Sequence, residues 1–181
     1  MALALGRRAM GAPGRSAVLV AAWDDAQGGH HIGLLQIDGD AVRIVTSLGL
    51  PTRAHGLACA ADGTVLAVAR RPGDWLLRWK PGSAEGPDWV WAENERRFNG
   101  HVLLAPDGGS VYTTEVDLDS GQGRLVRRSA NSLEVTAVWS TFGLDPHDME
   151  WLPDKQLLVA NGGIPTLPET GRGKRAVDRM D

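Results

Sequence analysis

The sequence contains few of the features by which several protein classes are recognised. Its only cysteine is Cys59, which excludes an intrachain disulfide framework and a cysteine-based zinc site. No apolar run approaches the roughly 18 residues that a membrane-spanning helix needs. We therefore expect no membrane span. The formal net charge is −3, so we also expect no broad surface for nucleic acid. The motifs G-x-S-x-G, G-x-x-x-x-G-K-[ST] and H-E-x-x-H, which mark three common catalytic or phosphate-binding sites, are also absent.

Glycine and proline, by contrast, are abundant. The 23 glycines and 10 prolines make up about 18 % of the 181 residues, whereas roughly 12 % is average. We therefore expect frequent turns and few long helices. Hydrophobic residues make up 43 % and charged residues 23 % of the chain, a balance that is typical of a folded globular protein rather than a disordered one.

A repeat of 46 residues organises most of the chain. His55, His101 and His147 are spaced by 46 residues, and each of them begins a similar sequence segment. This repeated segment consists of the histidine, a short apolar stretch, a turn and a second apolar stretch. The turns are centred on Asp62, Asp107 and Asp154. Asp-Gly in the first two turns is a strong hairpin signal, because glycine tolerates the positive φ that a tight turn requires.

Each period holds four short strands, here called a, b, c and d. The last strand of a period is rich in valine and tryptophan, which favour β-structure. Upstream, Ala17–Ala22, Ile32–Ile37 and Val42–Thr46 are predicted as strands b, c and d of an earlier unit. Four strands in 46 residues is typical of a β-propeller blade. A β-sandwich is the structural alternative, but it has no reason to repeat at this period.

The predicted fold is therefore all-β, a β-propeller fragment of about three to four four-stranded blades. We expect an irregular segment over 1–15, blades over 16–161, and a truncated, irregular continuation over 162–181. Closed propellers use about 4–8 blades. The sequence is therefore expected to be part of a longer propeller rather than a complete ring.

The repeat also predicts where a binding site would lie. In a blade, strand a lines the central channel, and the d–a and b–c loops open on one face. The histidines enter strand a, and Arg70, Glu115 and Asn161 end strand b, so all should lie near the channel mouth on that face. Arg71 and the stretch that contains Arg97 and Asn99 belong to the same rim. The candidate ligand-binding residues are thus Arg70, Arg71, Arg97, Asn99, Glu115 and Asn161. The alternative is that they are solvated loop residues.

Two interpretations of His55, His101 and His147 stay open. They could form a site for a transition metal, since neutral imidazole is the commonest metal ligand. They could instead be structural repeat residues, each bonded to backbone at its own blade junction, because repeats copy structural residues most faithfully.

Several phrases together resemble one family. They are Arg70–Gly73, Glu95–Val102, Tyr112–Glu115, Gly121–Gly123, Pro146–His147 and Val159–Ile164. In order and spacing they resemble the bacterial DUF1513 family, predicted propellers of unknown function, from about residue 50 to the C-terminus. The resemblance implies a protein about twice this length, with about seven blades, of which this chain is the N-terminal half.

The resemblance also implies export to the periplasm and a periplasmic protein partner, because such proteins often occur alongside iron-uptake and imelysin-like proteins. This sequence departs from the pattern at its start. Arg7-Arg8 is followed by Ala9–Gly14 rather than by the apolar stretch of a signal peptide, so no intact signal peptide is predicted here.

Three functions follow from these features. The first is a non-enzymatic exported propeller that binds a ligand or partner on its histidine-bearing face, in the context of periplasmic iron or metal acquisition. The second is a metal-binding protein that uses the ring of blade histidines. The third is a lactonase-like propeller hydrolase, suggested by hairpins such as Pro106–Gly108 in an all-β repeat, although fold does not imply function.

Overall fold

A computed structural model describes residues 16–164, 166–167 and 171–172. The predicted irregular segment over 1–15 lies outside the described residues, as does most of 162–181. The strands are β1 (Ala17–Asp24), β2 (His30–Asp38), β3 (Ala41–Leu50), β4 (Ala54–Cys59), β5 (Val65–Ala69), β6 (Trp75–Trp79), β7 (Asp88–Trp91), β8 (Arg96–Leu104), β9 (Ser110–Asp117), β10 (Gln122–Ser129), β11 (Val135–Leu144), β12 (Pro146–Trp151), β13 (Leu157–Asn161), β14 (Thr166–Leu167) and β15 (Gly171–Arg172). The described part of the chain contains no helix, and hence none long and apolar enough to cross a membrane.

The strands form successive antiparallel sheets in chain order. The first sheet is β1-β2-β3, the next two are β4-β5-β6-β7 and β8-β9-β10-β11, and β12 pairs with β13. β14 and β15 form a separate short pair. The two four-stranded sheets coincide with the predicted a–d units, and β1–β3 coincide with the predicted b, c and d strands. The predicted all-β fold, consistent with a propeller fragment, is confirmed.

The second sheet is buried on both faces because its side chains alternate and a neighbouring sheet covers each side. On one face Val65, Trp75 and Leu77 pack with Ile32 and Leu50 of the first sheet. On the other face Leu66, Val68 and Leu76 pack with residues of the third sheet such as Phe98 and Val102. Full burial of such side chains stabilises the fold by roughly 1.5–3 kcal/mol each. This face-to-face packing fixes the loops at the sheet ends relative to one another.

The loop between β5 and β6 is anchored to the start of β8. Gly73 N–H donates to the Phe98 carbonyl, and Phe98 N–H donates to the Gly73 carbonyl, both at 2.8 Å. A Cβ at Gly73 would lie 2.7 Å from the Ala69 carbonyl oxygen, so the close approach requires glycine. The loop over 70–74 is therefore held next to Arg97.

Candidate functional site

The three repeat histidines lie together. His55 is on β4, His101 on β8 and His147 on β12, which are the first strands of three successive sheets. The ring centroid of His101 is 5.1 Å from that of His55 and 5.0 Å from that of His147, and the third separation is 6.4 Å. We call these three residues the histidine cluster. Equivalent positions in the repeat thus place their imidazoles in mutual contact.

The surroundings favour the neutral form of two of these imidazoles. Burial, together with the neighbouring His55, lowers the pKa of His101 to about 4, although Asp148 acts in the opposite direction. Desolvation and the charge of Arg71 lower the pKa of His55. His101 Nδ1 lies 3.4 Å from Asp148 Oδ1, and its Nε2 is buried without a hydrogen-bond partner among the described residues.

Arg71 connects the histidine cluster to the loop beside it. Its guanidinium is hydrogen-bonded to His147 Nδ1. Because arginine is only a donor, Nδ1 is the acceptor and the imidazole proton is on Nε2. The same guanidinium nitrogen lies 3.5 Å from Oδ1 of the buried Asp145. Arg71 therefore brings a positive charge into contact with the cluster.

No group of three or more His, Cys, Asp or Glu side chains is placed to hold a metal ion within the described ranges. His147 accepts from the Arg71 side chain and His101 contacts the Asp148 side chain, so both contacts involve side chains rather than backbone. Metal binding by the histidine cluster stays a prediction, as does the purely structural alternative.

An open cavity of about 490 Å³ lies next to Arg71. We call it the arginine cavity, because four of its lining residues are arginines. The lining residues are His30, Thr52, Arg53, Arg70, Arg71, Pro72, Asp74 and Arg97. They come from the start of β2, the β3–β4 loop, the β5–β6 loop and the start of β8. Three of the six predicted ligand-binding residues therefore line one cavity.

The cations of the cavity differ in what already holds them. Arg53 Nε is 3.2 Å from Asp24 Oδ2, which lies outside the lining. Arg97 donates to the backbone carbonyls of Glu93 and Arg96 at 2.9 and 2.8 Å. Among the described residues, the side chain of Arg70 makes no hydrogen bond or ion pair. The arginines of the cavity thus outnumber the carboxylates that pair with them.

Asn99 is linked to the cavity through Asp145. Its side chain is fully buried, and Nδ2 donates to Asp145 Oδ1 at 3.0 Å and to the Pro146 carbonyl at 2.9 Å. Asp145 in turn contacts Arg71. Asn99 therefore orients a carboxylate that faces a cavity arginine, rather than lining the cavity itself.

The structure places the other two predicted ligand residues elsewhere. Glu115 is 2 % exposed, and its Oε1 accepts from Arg128 and from the Thr113 hydroxyl, both at 2.8 Å. Its Oε2 lies 3.1 Å from Arg96 Nε, close enough for an ion pair although not aligned as a hydrogen bond. Asn161 is exposed, and its Nδ2 donates to the Thr141 carbonyl at 2.8 Å. Neither residue lines the arginine cavity.

Sequence reasoning missed Arg53, Asp74, Thr52 and His30. A signal for two of them was available, because Thr52 and Arg53 lie three and two residues before His55 in the predicted d–a loop. Asp74 ends the b–c loop that begins at Arg70, and so lies on the same predicted face. His30 comes from the first, partial unit, which has no histidine at the repeat position.

Comparison with known proteins gives one family. The family model described as "Protein of unknown function (DUF1513)" matches residues 48–181. No curated protein matches the sequence. The match covers the β4–β13 sheets and the site residues from Thr52 onward, and it agrees with the resemblance seen in the sequence.

Proposed function

Since the chain belongs to the DUF1513 family, whose description assigns no function, we propose a function from the site: the protein is a non-enzymatic scaffold that binds a small anionic ligand in the arginine cavity. The observation that carries this proposal is the convergence of Arg53, Arg70, Arg71 and Arg97 on one open cavity. A volume of about 490 Å³ is in the range of small-molecule sites.

Charge and geometry both favour an anion. A guanidinium presents several N–H donors in a plane, and it matches carboxylate and phosphate groups with paired hydrogen bonds. Four such groups around one volume repel each other unless an anion lies between them. Of the described residues that line the cavity, Asp74 alone carries a carboxylate. The ligand would therefore supply the missing negative charge.

The resemblance adds a cellular context to this proposal. It implies that the protein is exported to the periplasm and acts beside a protein of iron or metal acquisition.

The proposal is tested by isothermal titration of the purified chain with inorganic phosphate and with succinate, at low ionic strength. We expect binding of at least one probe, weakened by added salt. Arg70→Ala and Arg97→Ala should each weaken it about tenfold or more, because a hydrogen bond to a charged group contributes roughly 1.5–3 kcal/mol.

Arg43→Ala is the matched control, since Arg43 is an exposed arginine on β3 that bonds to Gln36 and does not line the cavity. It should bind as the unmodified chain does. If neither probe binds, or if Arg70→Ala and Arg97→Ala bind as tightly as Arg43→Ala, the cavity is not an anion site.

A further inference from the structure

We infer that the ligand of the arginine cavity carries a hydrogen-bond donor, a hydroxyl or an ammonium, next to its anionic group, and that Asp74 recognises that donor. This inference rests on the proposed anion binding and narrows its ligand to small hydroxy- or amino-substituted carboxylates or phosphates. The observation behind it is that Arg70 and Asp74 line the same cavity and do not pair with each other.

The two side chains are the available groups of the cavity. Arg70 and Asp74 are both exposed to solvent. Neither side chain makes a hydrogen bond or ion pair within the described ranges, whereas Arg53, Arg71 and Arg97 all have such contacts. One cationic and one anionic group thus remain to be satisfied by whatever enters.

The backbone holds these two residues at fixed places. Arg70 N–H donates to the Arg53 carbonyl, and Ala92 N–H donates to the Asp74 carbonyl, both at 2.8 Å. Between them, Gly73 is bonded in both directions to Phe98. The backbone of the loop is therefore tied at its start, middle and end, which keeps Arg70 and Asp74 beside the cavity.

A ligand with only anionic groups would leave Asp74 unsatisfied. Its negative charge would face the Asp74 carboxylate across the cavity, and the two charges would repel each other. The Thr52 hydroxyl oxygen already accepts from Trp75 Nε1 at 2.7 Å, so it keeps its proton as a donor and only one lone pair as a neutral, weaker acceptor. Asp74 is therefore the natural acceptor for a ligand hydroxyl or ammonium.

The test uses probes that differ in one substituent. Succinate, malate and aspartate share two carboxylates and carry hydrogen, hydroxyl and ammonium at C2. Ethyl phosphate, glycol phosphate and phosphoethanolamine form the matching phosphate series. Dissociation constants are measured by titration calorimetry for the unmodified chain, for Asp74→Asn and for Asp74→Ala. Asp119→Asn, in the exposed β9–β10 turn, is the control.

We expect the hydroxyl or the ammonium member of a series to bind at least tenfold more tightly than its unsubstituted member. Asp74→Ala should reduce that ratio to about one while binding the unsubstituted anion as well as before or better. Asp74→Asn keeps the shape and removes the charge, so it should retain preference for a hydroxyl and lose preference for an ammonium. Asp119→Asn should keep the full preference.

The two ways of failing are distinct. If the anions bind but every member of a series binds equally, in the unmodified chain and in Asp74→Ala alike, this inference is overturned and the anion site stands. If no member of either series binds and phosphate does not bind, the proposed function itself fails.

Discussion

Replacing Glu115 should destabilise the protein and leave anion binding unchanged. The residue was predicted from the repeat as a ligand residue, but its side chain is 2 % exposed and contacts Arg128 and Arg96. Arg128 is itself only 6 % exposed and stacks over the Phe98 ring. Glu115→Gln keeps one oxygen for Arg128 and removes the charge that compensates two guanidinium groups.

The magnitude follows from this burial. Removing one partner of a buried ion pair costs about 3–5 kcal/mol, because the remaining charge is left uncompensated. Glutamine retains a neutral acceptor, and neutral hydrogen bonds are about half as strong as charge-assisted ones. We therefore expect Glu115→Gln to lower the free energy of unfolding by roughly 2 kcal/mol, and Glu115→Ala by more. A typical domain has only about 5–15 kcal/mol in total.

The assay is urea unfolding followed by tryptophan fluorescence, with titration calorimetry on the folded variant. Glu85→Gln, in the exposed β6–β7 loop, should unfold at the same urea concentration as the unmodified chain. Glu115→Gln should unfold at a lower urea concentration than the unmodified chain. Its dissociation constant for the phosphate or succinate probe should lie within twofold of that of the unmodified chain. The reasoning is refuted if Glu115→Gln is as stable as Glu85→Gln and yet binds the probe tenfold more weakly, since Glu115 would then act on the ligand.

Two further predictions concern the histidine cluster. Because the folded-state pKa of His101 is about 4 and its ordinary value is 6.5, the unfolded chain takes up a proton first as the pH falls. Stability should therefore be lost between about pH 6.5 and 4, by at most roughly 3 kcal/mol from this group. Urea unfolding at several pH values should show that His101→Asn loses less stability than the unmodified chain as the pH falls. An equal loss in both proteins would contradict the lowered pKa of His101. Equilibrium dialysis against Zn²⁺ should show no micromolar site, because Arg71 donates to His147 Nδ1 and leaves a proton on Nε2. Zinc uptake that His101→Asn abolishes would support the metal hypothesis instead.

The strands were predictable because their signals are local. The turns at Asp62 and Asp107 are followed by glycines with φ of +84° and +73°, as the hairpin pattern requires. The third turn has Lys155 in place of glycine, and it still forms with a φ of +65°. There the repeat predicted the hairpin better than the turn residues did.

One strand begins earlier than its repeat predicts. β8 starts at Arg96, five residues before His101, and its pairing with β9 shifts register between Phe98 and Val102. Gly100, at φ +95° within this irregularity, lets the strand continue past the shift. The extension brings Arg97 to the cavity and Asn99 to Asp145. A periodic pattern predicts the average position of each strand and does not show that one strand is extended.

The side chains that decide function depart from the repeat for a related reason. The repeat predicts that Arg70, Glu115 and Asn161 end the same strand in three units and share one kind of environment. In the structure Arg70 instead follows the end of β5, Glu115 lies within β9, and Asn161 ends β13. Glu115 is buried because Arg96 and Arg128 reach it from neighbouring strands. Asn161 is exposed and bonds to the Thr141 carbonyl, while Arg70 faces the cavity. Equivalent backbone positions therefore predict which residues share an end of the sheets, but the charges on adjacent strands decide which of them remain available to a ligand. Arg70 is available because no carboxylate among the described residues reaches it, and the proposed anion site depends on that difference rather than on the repeat.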